Sequence, residues 1–212
     1  MAVLQDDVRQ VNHGISRGFY ATITTNPTNG AVTFGVPKVF TGLRTVNIET
    51  TEETNPYYAD NVEHIKLRGA KKSEGSLTVY QISEDFLINH LGKNKTAGGA
   101  LTDTGTYNSF VLGYVETKES AAGVTTEELH VWYNVQASAP TGESKTDEDS
   151  AEPKEFEIPV TASPSANGAI DLKTGKPVTE LVLVKNSTNA SNFELAFSNL
   201  STFNTNMLKA TT

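Results

Sequence analysis

The stretch VFTGLRTVNIETT, running from Val39 to Thr51, decides the fold class of this chain. It is rich in β-branched residues. Its second half alternates, with Val46, Ile48 and Thr50 on one side and Thr45, Asn47 and Glu49 on the other. A period of two marks a strand with one face turned to a core. Further along the chain, residues 62–68 alternate in the same way, Ile65 and Leu67 opposing His64, Lys66 and Arg68. Residues 76–82, 110–117, 129–137, 156–161 and 181–185 read as further strands. Gly, Pro, Asn, Ser and Thr, which favour turns, fill the gaps between them. Short strands at regular spacing predict a mainly β protein, a sandwich or barrel. One segment departs from the pattern. In SEDFLINHLG (residues 83–92), Ser83 suits an N-cap, Glu84 and Asp85 follow it, Phe86, Leu87 and Leu91 recur at helical spacing, and Gly92 suits the position after the helix. The spacing predicts one short flanking helix over about 83–91.

Composition bounds the function. The chain has 212 residues, 37% hydrophobic and 20% charged, with a mean hydropathy of −0.35. No run approaches the roughly 20 apolar residues of a membrane helix, and no signal peptide is visible at the start. The chain has no cysteine, which excludes disulfides, thiolate metal sites and cysteine catalysis. Seventeen Lys and Arg against 25 Asp and Glu leave a net charge of −8, which argues against tight binding of nucleic-acid phosphates by the whole surface.

No motif converges on catalysis or a cofactor. His13, His64, His90 and His130 have no partner at ligand spacing and read as surface or half-buried histidines. Gly175-Lys176-Pro177 and Gly98-Gly99 lack the context of a phosphate loop. The acidic runs Glu52-Glu53, Glu84-Asp85, Glu127-Glu128 and Asp147 to Asp149 read as solvated acids; glycosidase chemistry needs two carboxylates across a cleft. A hydrolase is therefore the weakest reading, and no cofactor or metal is expected. Four glycosylation sequons, at Asn94, Asn186, Asn189 and Asn199, read as chance matches in an Asn/Thr-rich chain. Residues 93–106 and the acidic stretch 139–154 read as loops. After Ser163 the chain turns poor in aromatics, so the expected division is a β-domain over 1–164 and a C-terminal arm or small extension over 165–212, with residues 193–207 open between helix and strand.

A wider pattern emerges from Val46-Asn47-Ile48-Glu49-Thr50 followed by Asn55-Pro56-Tyr57-Tyr58-Ala59-Asp60-Asn61. After these come the strand at 75–82 with the 83–92 block, Phe110 to Val115 with its Gly-Tyr pair, the aromatic run His130 to Val135, and Phe156 to Ala162. In this order and spacing, residues 39–163 resemble the major tail proteins of long-tailed, non-contractile bacteriophages. The resemblance implies a β-sandwich with one flanking helix and a long assembly hairpin, placed at 39–72 with its tip near 52–60. It implies hexameric rings that stack into a tail tube, in a virion assembled in the cytoplasm of a bacterial host. The implied partners are other copies of the chain, a tape measure protein, a tail terminator and distal tail or baseplate proteins, with DNA passing through and no membrane involved.

On that reading six copies at −8 each would carry −48 per ring, and an acidic lumen would keep DNA from sticking to the wall. Glu49, Glu52, Glu53, Asp60 and Glu63 are the candidate lumen-facing acids. Tyr57 and Tyr58 are candidates for intersubunit packing, and Lys66, Arg68, Lys71 and Lys72 for charge pairing between subunits. The alternative is a non-catalytic β-sandwich binding module, for capsid decoration or carbohydrate. It requires an exposed aromatic platform around Tyr114, Trp132 and Tyr133, with His130, Trp132 and Asn134 sharing a strand face.

Overall fold

The computed structural model describes residues 10–142, 153–164 and 168–208, apart from the side chains of Glu53 and residues 68–70. Most of the acidic loop at 139–154, including Asp147 to Asp149, lies outside the described residues. The strands are β1 (Gln10–Thr25), β2 (Val32–Phe34), β3 (Lys38–Val39), β4 (Leu43–Ala59), β5 (Val62–Val79), β6 (Asn94–Lys95), β7 (Leu101–Thr102), β8 (Phe110–Ser120), β9 (Thr125–Ala137), β10 (Phe156–Ala162), β11 (Ile170–Asp171), β12 (Lys176–Pro177) and β13 (Glu180–Val184). The helices are α1 (Glu84–His90), α2 (Ala190–Leu195) and α3 (Leu200–Met207).

One antiparallel sheet organises the chain in the order β2-β1-β8-β9-β10-β5-β4, with β3 added to β1 and β13 to β9. The sheet curls until β4 approaches β1, and a Cβ added at Gly18 of β1 would lie 2.8 Å from Leu43 Cδ2 of β4. Curling gives the sheet two apolar faces, each with its own core. Tyr20, Leu77, Phe110, Leu112, Tyr114, Trp132, Val135 and Ile158 line the concave interior with Phe86 of α1. Phe19, Val111, Val115, Leu129, Val131 and Tyr133 point the other way, against Phe193, Leu200 and Phe203 of α2 and α3. Full burial of a side chain of this size contributes about 1.5–3 kcal/mol, so the second core is a substantial part of the fold. Residues 193–207 are thus helical apart from the turn at 196–199. Phe193, Ala196, Leu200 and Phe203 form one stripe across both helices, each with almost no exposure.

Strand β9 supplies both cores in an unusual way. Leu129, Val131 and Tyr133 face the helices, whereas Val135 and Ala137 face the interior. Between the pairs Phe110–Val135 and Leu112–Trp132, one residue of β8 (Val111) opposes two of β9 (Tyr133 and Asn134), a bulge, and Asn134 sits there at φ 50°. Asn tolerates that left-handed backbone better than most residues. Across the sheet, Gly113 lies under the Phe19 ring, and a Cβ there would come within 2.2 Å of it.

Helix α1 follows its sequence signals. The Ser83 hydroxyl accepts from the Phe86 N–H at 3.2 Å, and Asp85 bonds Tyr20 Oη at 2.8 Å and Lys38 Nζ at 2.7 Å. Phe86 closes one end of the interior, edge-on to Tyr20 and Phe110.

Candidate functional site

The feature that the two cores do not account for is the hairpin of β4 and β5. It runs from Leu43 to Val79, longer than the sequence expectation of 39–72, and turns at Asp60-Asn61, both at positive φ (51° and 61°). This is the backbone of a two-residue hairpin turn whose twist matches its strands. Strand β5 pairs with β10 only over Ser73–Val79. Residues 51–59 and 62–72 therefore form a two-stranded ribbon beyond the sheet, about 30–35 Å long at roughly 3.3 Å per residue. Among the described residues both of its long edges are open, and β4 carries Pro56, a residue that sheets admit at edges.

Paired residues in an antiparallel ladder share a face, so the register sorts the ribbon's side chains. Glu52–Lys71, Pro56–Lys66 and Tyr58–Glu63 lie on one face, continuous with Val46, Ile48 and Leu77 of the interior. Asn55–Leu67, Tyr57–Ile65 and Ala59–Val62 lie on the other. Tyr57, Val62, Ile65 and Leu67 are each at least half exposed. The ribbon is thus charged on one face and apolar on the other. A naked two-stranded ribbon is marginal in water, and an exposed apolar face on one marks a place where another surface belongs.

The register also distributes the residues singled out from sequence. Glu52 and Glu63 share the charged face with Lys66 and Lys71, whereas Glu49 and Lys72 lie on the opposite face, near the base of the ribbon. Asp60 is at the tip. Tyr57 and Tyr58, adjacent in sequence, point to opposite faces. The backbones of Glu53 and Arg68 belong to the ribbon, and their side chains lie outside the described part.

Other candidates resolve differently. Tyr114, Trp132 and Tyr133 are 6%, 4% and 0% exposed, so the aromatic platform that a glycan-type module requires is buried in the two cores. His130 and Trp132 face inward, and the bulge at Asn134 breaks the strand face that the three were expected to share. The described acidic runs are held in ion pairs: Glu84 with Lys95 (2.6 Å), Asp85 with Lys38, Glu127 with Lys185 and Glu128 with Lys118 (2.5 Å). His90 is fully buried with Nδ1 on the Asn108 carbonyl at 3.0 Å, and burial lowers its pKa. Sequence reasoning missed one contact group. Arg17, also at positive φ, lies 3.7 Å from the centre of the Phe197 ring and binds Glu194 at 2.5 Å, tying β1 to α2.

A family model described as phage tail tube protein matches residues 1–208 of the chain. No curated protein matches it.

Proposed function

The chain belongs to the phage tail tube protein family, a structural component of the virion tail, and from that premise we infer that the β4–β5 ribbon is its assembly element. In this reading copies join edge to edge through their ribbons, the open edge of β4 in one copy meeting the open edge of β5 in the next. Ring closure by rotation then removes every open ribbon edge, and stacking extends the rings into a tube. The apolar face, with Tyr57, Val62, Ile65 and Leu67, packs on neighbouring copies. The charged face, with Glu52, Tyr58, Glu63, Lys66 and Lys71, turns to the channel.

The observation that carries this reading is a ribbon roughly 30 Å long with two open edges and one exposed apolar face. On the described part of the charged face Glu52 and Glu63 balance Lys66 and Lys71. A wall of that composition offers DNA no surplus of cations to bind, so phosphates slide past it. Six copies per ring, a tape measure protein inside, and terminator and distal tail proteins at the ends complete the proposal, with assembly in the host cytoplasm. No catalysis is assigned to the protein.

Negative-stain electron microscopy and light scattering of the purified protein over a concentration series test the reading. Rings or tubes with a central channel are expected, spontaneously or on adding a tail-tip complex. A particle that stays monomeric under both conditions overturns it.

A further inference from the structure

Away from the ribbon, one cluster of side chains serves neither core. On the interior-facing side of the sheet, beyond Tyr114, the pairing of Tyr114 with His130 and of Glu116 with Glu128 places an imidazole and two carboxylates side by side. Neighbouring β13 adds Glu180. The Glu116 and Glu128 carboxylates each lie 3.9 Å from His130 Nε2, and the three ligand atoms all fall within 4.8 Å of one another. His130 Nδ1 is 2.9 Å from the Glu180 carboxylate, and the imidazole stacks flat on the Tyr114 ring at 5.0 Å.

We propose that Glu116, Glu128 and His130 form a binding site for a divalent transition-metal ion such as Zn²⁺. Three observations support it. In the neutral imidazole, which is the metal-binding form, the Nδ1 contact to the Glu180 carboxylate commits that nitrogen as the donor and leaves the Nε2 lone pair toward Glu116 and Glu128. Carboxylate-oriented imidazoles of this kind are the usual outer support of metal-ligating histidines. Nε2 is inaccessible to solvent and has no hydrogen-bond partner, an unmet acceptor that a metal would satisfy. Finally, among the described residues the cluster gathers three carboxylates, of Glu116, Glu128 and Glu180, and one ammonium, that of Lys118, 2.5 Å from Glu128, so it can take up further positive charge.

Among the described residues a further polar contact comes from Asn12 Nδ2, which donates to Glu116 at 3.1 Å. Drawing the ligand atoms from separations of 3.9 Å and up to 4.8 Å to the roughly 3.4 Å of a tetrahedral zinc site needs side-chain rotations that move them by about an ångström. Lys118, on the rim, would swing aside to solvent, and a water would fill the fourth position. An imidazole among the ligands favours zinc over magnesium or calcium. The ion would clamp β8 to β9 and, through His130 and Glu180, hold β13 against the sheet. This site is separate from the ribbon and does not depend on the assembly reading.

Calorimetric titration of the metal-stripped full-length protein with ZnCl₂, with Co²⁺ absorption as a second readout, tests the proposal. One site per chain is expected, with a rise in melting temperature that a chelator reverses. His130→Gln or Glu116→Gln should abolish binding, and His13→Gln, at an exposed histidine elsewhere, should leave it unchanged. Glu180→Gln, which touches no metal, should weaken it by about 10- to 100-fold. Lys118→Met, which removes the competing ammonium, should tighten it. Zinc affinity unchanged by Glu116→Gln and Glu180→Gln, or no binding at millimolar zinc, overturns the proposal, and the Glu180 variant keeps the test open if His130→Gln does not fold.

Discussion

The double variant Ile65→Thr/Leu67→Thr separates what the ribbon does for the monomer from what it does for assembly. Both side chains lie on the ribbon's apolar face, each about half exposed, and neither belongs to either core. Threonine keeps the β-branched shape that strands favour while removing most of the apolar surface. Covering the exposed half of each side chain is worth about 1 kcal/mol, half the value of full burial. Together the two changes should cost about 2 kcal/mol for each subunit contact, an association constant about 30-fold weaker. The midpoint concentration for ring or tube formation, followed by light scattering, should rise accordingly. The monomer's melting temperature should shift by no more than a degree or two. Assembly at the unchanged concentration by a well-folded variant would falsify the assignment of this face to subunit contacts.

Three further predictions concern the body of the protein. Tyr133 is fully buried and its hydroxyl donates to Asn204 Oδ1, so Tyr133→Phe strands that buried oxygen and should cost about 1–3 kcal/mol by denaturant unfolding; Tyr133→Phe/Asn204→Leu should recover most of the loss, and failure to do so counts against the hydrogen bond as the cause. Gly113→Ala drives a Cβ into the Phe19 ring and should destabilise by about 1–3 kcal/mol, with partial rescue by Phe19→Leu in thermal melts. The Arg17 hydrogen bond, against a smaller cost of burial, holds the Glu194 carboxyl down at about 2, with Lys185 assisting. A depressed folded pKa contributes stability that is present above the ordinary value of 4.5 and lost as pH falls toward 2. Because Glu194 is half exposed and Arg17 one-third exposed, solvent screening reduces the contribution to about 1 kcal/mol. Glu194→Gln should therefore flatten the stability profile between pH 4.5 and 2, and an unaltered profile refutes the link.

Much of this architecture was legible where local signals and tertiary context agree. Strands β8, β9 and β10 and helix α1 fall close to their expected bounds because their apolar positions are buried as the periodicity implies. Strand β1 was not read at all. Gly14, Arg17 and Gly18 mark two register shifts that interrupt its alternation, so no window of it shows a clean period of two. The expected strands at 62–68 and 76–82 are largely one strand, because the polar run between them is held by pairing with β4 instead of by a core. Helices α2 and α3 were hidden by Asn, Ser and Thr, weak helix formers whose helicity here comes from packing Phe193, Leu200 and Phe203 on the sheet. The division of the ribbon into two faces depends on register shifts at 52–54 and 57–58, which no strand pattern encodes. The cluster around His130 joins Glu116 to Glu180 across three strands, beyond the reach of any local spacing.

The bulge at Asn134 has a consequence for how this sequence tolerates change. Upstream of it β9 is in one phase, with odd-numbered residues toward the helices; downstream the phase is inverted, and odd-numbered residues enter the interior. Flattening the bulge with Asn134 retained would send Val135 and Ala137 outward and bring Gln136 into an apolar interior, whereas deleting Asn134 would restore strict alternation with every side chain on its present face. A one-residue deletion at 134 should thus do less harm than one elsewhere in the strand, which would turn one half of its side chains to the wrong face. The bulge lets the two halves of one strand vary under separate constraints, each answering to a different core.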